Sequence, residues 1–167
     1  MSPATRYRPH TEGAFRRRAL INALNLTTPL GLAVARLGRA RLSRGPEVLW
    51  LGEGYRLRFP VAGAFTVGNV VTTARTFAAL EASTPGVLGH ESRHAWQYYR
   101  LGLLFLPAYA AAASWSWLRY GHPAVGNVFE QKAGLVSGSY VASGFVGTPP
   151  RPLSRALASL FRRSPRS

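Results

Sequence analysis

The sequence predicts an α+β domain in which a small antiparallel sheet is covered by packed helices, with one central helix carrying His-Glu-x-x-His. Three observations lead there. Apolar residues recur at helical spacing through 13–26 and 30–42. The period shifts to two between 47 and 73, then returns to helical spacing over 85–101. A chain of 167 residues is long enough for one domain with a real core. The expected division is a disordered basic N-terminus over 1–12, the domain over 13–145, and a basic Pro/Arg-rich tail with a short amphipathic helix over 146–167.

Composition narrows the chemistry. There is no cysteine, which excludes disulfides and thiolate metal ligands. There is no aspartate either, so a Ser-His-Asp triad is excluded. The net charge of +15 is almost wholly arginine, Lys132 being the one lysine. Such a balance favours anionic partners: a membrane surface, an acidic protein or, as the lesser expectation, nucleic acid.

Taken in order, 13–26 reads as a helix bearing Phe15, Leu20, Leu24 and the run Arg16-Arg17-Arg18. Asn22 and Asn25 interrupt its apolar stretch, so it does not read as a secretory signal, and the expected location is cytoplasmic with membrane association. Pro29 opens a second helix, 30–42, whose Leu30, Ala33, Val34 and Leu37 share a face. Runs 47–51 and 55–59 flank Gly52-Glu53-Gly54 and predict a β-hairpin. A third strand is expected over 64–73, with a short helix around 77–81 following it. An edge strand beside the central helix could hold a peptide by adding it as a further strand, with Thr66, Gly68 and Asn69 as candidates for that role.

The central helix is predicted over 85–101, with Thr84 as N-cap, Pro85 in its first turn and Gly102 just beyond its end. Residues four apart stack on one helical face, so His90 and His94 can aim two imidazole nitrogens at one point, a metal-ligand arrangement. Glu91 sits beside them, placed to take a proton from a metal-activated water. Gln97 returns to the same face and could orient a ligand or the substrate.

Residues 101–118 carry no charge and meet the minimum length of a membrane span. Pro107 is expected to break this stretch and leave 108–120 as a buried or interfacial helix. Farther on, Glu130 is the one acid after Glu91. Two roles compete for it. It can be the third metal ligand, or it can complete a capping box with Asn127, three residues earlier. His122, in the turn Gly121-His122-Pro123, is the reserve ligand. Tyr98, Tyr99, Tyr140 and His122 are candidate donors to a developing oxyanion.

His90-Glu91-Ser92-Arg93-His94-Ala95-Trp96-Gln97-Tyr98 resembles the active-site helix of zincin-type metallopeptidases, particularly a compact bacterial group with His-Glu-x-x-His-x-x-Gln. Residues 64–71 are similar to the strand before that helix, and 127–134 to the helix bearing a glutamate ligand. The resemblance spans about 46–140 and implies a zincin-like fold, one Zn2+ held by His90, His94 and Glu130, and Glu91 as general base. It implies hydrolysis of a peptide or protein substrate. The alternative expectation is a basic membrane- or nucleic-acid-binding protein whose zinc site is structural or vestigial.

Overall fold

In the computed structural model, which describes residues 11–58 and 62–135, helices α1 (Glu12–Leu24) and α2 (Thr27–Leu37) lead into strands β1 (Arg41–Arg44), β2 (Trp50–Glu53), β3 (Ala64–Val67) and β4 (Val70–Thr73). Helices α3 (Phe77–Ser83), α4 (Val87–Leu101), α5 (Phe105–Tyr120) and α6 (Val128–Ala133) follow. The α+β class is as expected; the sheet is not wholly antiparallel. Its order is β1-β2-β4-β3, with β1/β2 and β3/β4 antiparallel and β2/β4 parallel. Leu49, Val71, Phe77, Leu80, Val87 and Ala95 form the buried core between sheet and α4. The tail over 146–167, Tyr140 and residues 1–10 and 59–61 lie outside the described residues.

Two strand expectations are corrected. The predicted partner of 47–51 was 55–59, yet β2 pairs with β1, a segment assigned from sequence to the end of the second helix. That helix stops at Leu37 because Gly38 lies flat against the Tyr55 ring, and Arg39 turns the chain with φ 58°. A Cβ on Gly38 would come within 2.0 Å of that ring. Arg44 then stacks over its cross-strand neighbour Trp50, 3.5 Å from the ring centroid. Likewise, 64–73 is a hairpin rather than one strand. Gly68 adopts φ 63°, and a Cβ there would strike the Thr27 backbone at 2.4 Å.

α4 begins later than predicted, at Val87, with Gly86 rather than Thr84 as N-cap. Glu81 performs the capping: its two carboxylate oxygens accept from Gly86 and Leu88 N–H, each at 2.9 Å. Pro107 does not break the apolar stretch. It lies in the first turn of α5, where a missing N–H costs nothing, and the break falls at the 3-10 turn Gly102–Leu104. Nor is α5 buried, since only Phe105 and Ser116 on it are shielded. By length and composition, the run Val87–Tyr120 is apolar enough to cross a membrane, with a window of mean hydropathy 1.3 that is 11% buried.

The helices are joined by polar contacts. Arg18, the last of the run Arg16-Arg17-Arg18, is fully buried. Its guanidinium donates to Asn69 Oδ1 (3.0 Å), Ser92 Oγ (2.8 Å) and Glu47 O (2.7 Å), and packs between Phe15 and Trp96. One turn on, Asn22 Nδ2 donates to Ala95 O at 3.0 Å, and Asn25 Nδ2 to Tyr98 O at 3.3 Å. Arg18 also grips the turn before β2, where Glu47 and Val48 hold φ of 54° and 60°. A β-branched residue adopts that conformation only when its surroundings impose it. Removing a buried charge that satisfies so many acceptors costs roughly 3–5 kcal/mol. Arg18→Ala is therefore expected to lower unfolding free energy by about that amount in a urea titration. Arg16→Ala, which breaks only the exposed pair with Glu12, should change it by less than about 1 kcal/mol.

Candidate metal centre

His90 and His94 come from the inward face of α4, and Glu130 from the first turn of α6, which packs beside it. All three are buried. Their donor atoms form a small triangle: His90 Nε2 to His94 Nε2 is 3.1 Å, His90 Nε2 to Glu130 Oε2 3.2 Å, and His94 Nε2 to Glu130 Oε1 3.6 Å. Two nitrogens bound at about 2.0–2.1 Å to one tetrahedral ion lie about 3.3 Å apart. The triangle has the size such an ion requires, so the buried His-His-Glu group could hold a metal ion.

The hydrogen bonds behind the rings decide what faces inward. His90 Nδ1 lies 3.0 Å from the carbonyl oxygen of Gly134, which can only accept, so Nδ1 carries the proton. Gln97 Nε2 donates to Phe129 O at 2.9 Å, which turns Gln97 Oε1 toward His94 Nδ1 at 2.8 Å. His94 Nδ1 is thereby made a donor as well. In the neutral form of each ring this leaves the Nε2 lone pair pointing at its neighbours. Glu130 Oε2 is also buried and accepts no hydrogen bond. Two lone pairs and a bare carboxylate oxygen converging in a dry place are stabilised by a cation between them.

The same electrostatics moves the titrations. Burial pushes Glu130 upward, but the His90 and His94 imidazoles and the Tyr109 hydroxyl outweigh it and hold the carboxyl well below its usual range. Burial pulls His94 down, while Glu130 and the charge of Glu91 offset it and leave His94 raised. Each shift reports a site that favours positive charge between these groups.

Glu130 lies with the two histidines, where it could ligate a metal ion, and does not form the capping box. Asn127 caps α6 alone, accepting from Phe129 N–H at 3.0 Å, and its own N–H goes to Ala124 O instead of returning to Glu130. Tyr109, within the uncharged stretch 101–118, donates its hydroxyl to Glu130 Oε1. Nothing in its local pattern marks it out, because the contact links α5 to α6 across 21 residues. The reserve ligand His122 is spent in its turn, where Nδ1 accepts from Ala124 N–H at 3.2 Å.

Glu91 is buried on the adjoining position of α4, and Thr66 Oγ1 donates to its Oε2 at 2.6 Å. Both line a cavity of about 790 Å3 together with the three candidate ligands. Its remaining wall is mostly apolar and includes Leu30, Val34, Phe65, Tyr98, Phe105 and Leu106. Tyr98 is raised by burial and then by the charge of Glu91. β3 stands at the sheet edge beside α4, as expected, but only Thr66 of the three candidate strand residues reaches the cavity. Gly68 is taken up by the β3–β4 turn, and Asn69 is buried in bonds to Arg18, Val48 and Thr28. Neither is available to a peptide.

No protein-family profile, curated protein or solved structure matches the chain. The site therefore rests on its own geometry. Purified protein should carry one metal ion per chain by elemental analysis, and His94→Ala or Glu130→Ala should carry essentially none. Gln97→Leu, which frees the His94 ring, should weaken metal binding by about 10–100-fold. His122→Ala should bind as wild type.

Proposed function

We propose that the chain is a zinc-dependent hydrolase, most simply a metallopeptidase with a zincin-like arrangement. The observation that carries this reading is the placement of Glu91. It shares one cavity with a His-His-Glu donor set whose lone pairs and bare oxygen face inward. Three protein ligands of nitrogen and oxygen with an open side suit catalytic zinc, whereas structural zinc sites are closed by four. Zinc bound there would supply Lewis acidity, polarising the scissile carbonyl and making the attacking water acidic.

The protein's own groups account for the rest. Thr66 occupies Glu91 Oε2 and fixes the carboxylate plane, leaving Oε1 to accept a proton from the attacking water. As the C–N bond breaks, Glu91 returns that proton to the leaving amine, so the balance is one water added across one amide. The Tyr98 phenol, raised and therefore protonated at neutral pH, lines the same cavity and can donate to the developing oxyanion. The apolar walls exclude water and favour a substrate with a large apolar side chain. β3 is the edge strand of the described sheet beside the cavity, along which such a peptide can align.

General acid–base catalysis by a positioned carboxylate contributes about 10²–10⁴-fold. Glu91→Gln is accordingly expected to lower cleavage of an unstructured protein substrate by that factor while keeping its zinc. A variant that loses zinc with the carboxylate would say nothing about the base; one that keeps zinc and cleaves as well as wild type would sink the mechanism. Thr66→Val should retain zinc and lose about tenfold or more in kcat with little change in KM, because it frees the base without touching substrate.

A further inference from the structure

Two uncharged stretches of the chain, 19–35 and 101–118, meet in space. The first contains the elbow between α1 and α2, whose axes bend by 77°; the second contains the 3-10 turn between α4 and α5. The elbows touch where the Asn25 side chain lies 3.6 Å from the position of a Cβ on Gly102. Around that contact the exposed side chains are leucines: Leu24, Leu26 and Leu30 on one side, Leu101, Leu103 and Leu104 on the other. Leu26 is 60% exposed and Leu104 71%. Leu30 and Leu106 carry this surface into the mouth of the cavity.

The inward faces are the reverse. On α1 the buried residues are Arg18 and Asn22, and the elbow buries Thr27 and Thr28. Polar groups inward and leucines outward is the wrong sense for a helix facing water and the right one for a helix facing lipid. Charge selects the partner further. Exposed Arg17, Arg36 and Arg100 lie at or next to the ends of the two uncharged stretches, within a chain of net charge +15. Such a rim repels a second copy and attracts an anionic surface. Nucleic acid would satisfy the arginines and leave the leucines in water.

We infer that the paired elbows are a docking surface for an anionic lipid bilayer, the leucines entering the acyl boundary and the arginines meeting lipid phosphates. α5 does not cross the bilayer in this arrangement. Tyr109 holds Glu130, Phe105 packs on Phe129 at 5.1 Å, and Ser116 Oγ is bonded to His122 O (2.6 Å) and Gly126 N (2.7 Å). Those contacts lay α6 and its polar turn along α5, where hydrocarbon cannot be tolerated. The docking requires no hydrolysis and stands independently of it.

The test is flotation of the full chain with phosphatidylcholine vesicles, with and without phosphatidylglycerol. Wild type should float with the anionic vesicles and much less with the neutral ones. Leu26→Glu and Leu104→Glu should each weaken binding by about tenfold or more, with metal content and melting temperature unchanged. A Leu104→Trp variant, which keeps the apolar surface, should float as wild type and gain tryptophan emission that acyl chains brominated near the interface quench, a readout free of any folding defect in the glutamate variants. No flotation with anionic vesicles, or full binding by both glutamate variants, overturns the inference. So does resistance to alkaline carbonate extraction, which would mark a true span. A concentration-dependent dimer that the glutamate variants dissolve would assign the leucines to a second copy instead.

Discussion

A carboxylate buried against two imidazoles, each already committed as a donor through its other nitrogen, is the constraint on which this structure turns. Glu130 Oε2 is buried 3.2 Å from His90 Nε2, and with both Nδ1 atoms committed as donors the neutral form of each ring turns a lone pair toward the carboxylate. Left without a cation, that corner would expel the carboxylate into water or take up a proton between ring and acid. The surrounding architecture permits neither escape easily. Gly134 O and Gln97 hold the rings from behind, and Tyr109 holds the second carboxylate oxygen.

The chain has six acids, and their distribution shows how narrowly the site is made. Glu81 caps α4, and Glu53 accepts from the first N–H of α3 at 2.7 Å. Glu47 is bound by Arg18 and Ser92, and Glu12 pairs with Arg16 in solvent. Four acids thus hold helix ends or neighbouring cations. Glu91 and Glu130 alone face the cavity. α4 is the beam that links these roles: its start is capped by Glu81, one flank carries the His pair, and Ser92, Ala95 and Tyr98 offer carbonyls to the α1 ladder. A displacement of α1 would therefore be felt at the imidazoles, through backbone that both faces share.

What could be read from the sequence followed distance along the chain. The His90–His94 pair was legible because one helical turn sets its geometry, and Gln97 because it lies on the same face. Glu130 was half legible: its spacing from Asn127 suits a cap equally well, and only packing of α6 on α4 decides the matter. The strand pairings failed for the same reason in reverse. β2 joins β1 in antiparallel and β4 in parallel register, and neither partner was the neighbouring apolar run. Gly68 was read as an opening for a ligand, whereas the close approach is to the backbone of α2. Tyr109 and Arg18 carried no local signal, since each acts on an element far away in sequence.

One misreading is instructive about the physics. From sequence, Asn22 and Asn25 read as interruptions of an apolar stretch. They face inward, bonding the α4 backbone, and the neighbouring Leu20, Leu24 and Leu26 face out. A helix pattern gives the relative orientation of two faces but not which one meets the protein; that depends on what the opposite surface offers. Here α4 offers carbonyls, a serine and the ring of Trp96, and polar partners match them best. The cost is an outer surface of leucine that water does not stabilise. Leucines displayed beside the mouth of an apolar cavity form the kind of exposed surface that marks an interaction site, and it is the polar inner face of α1 that puts them there.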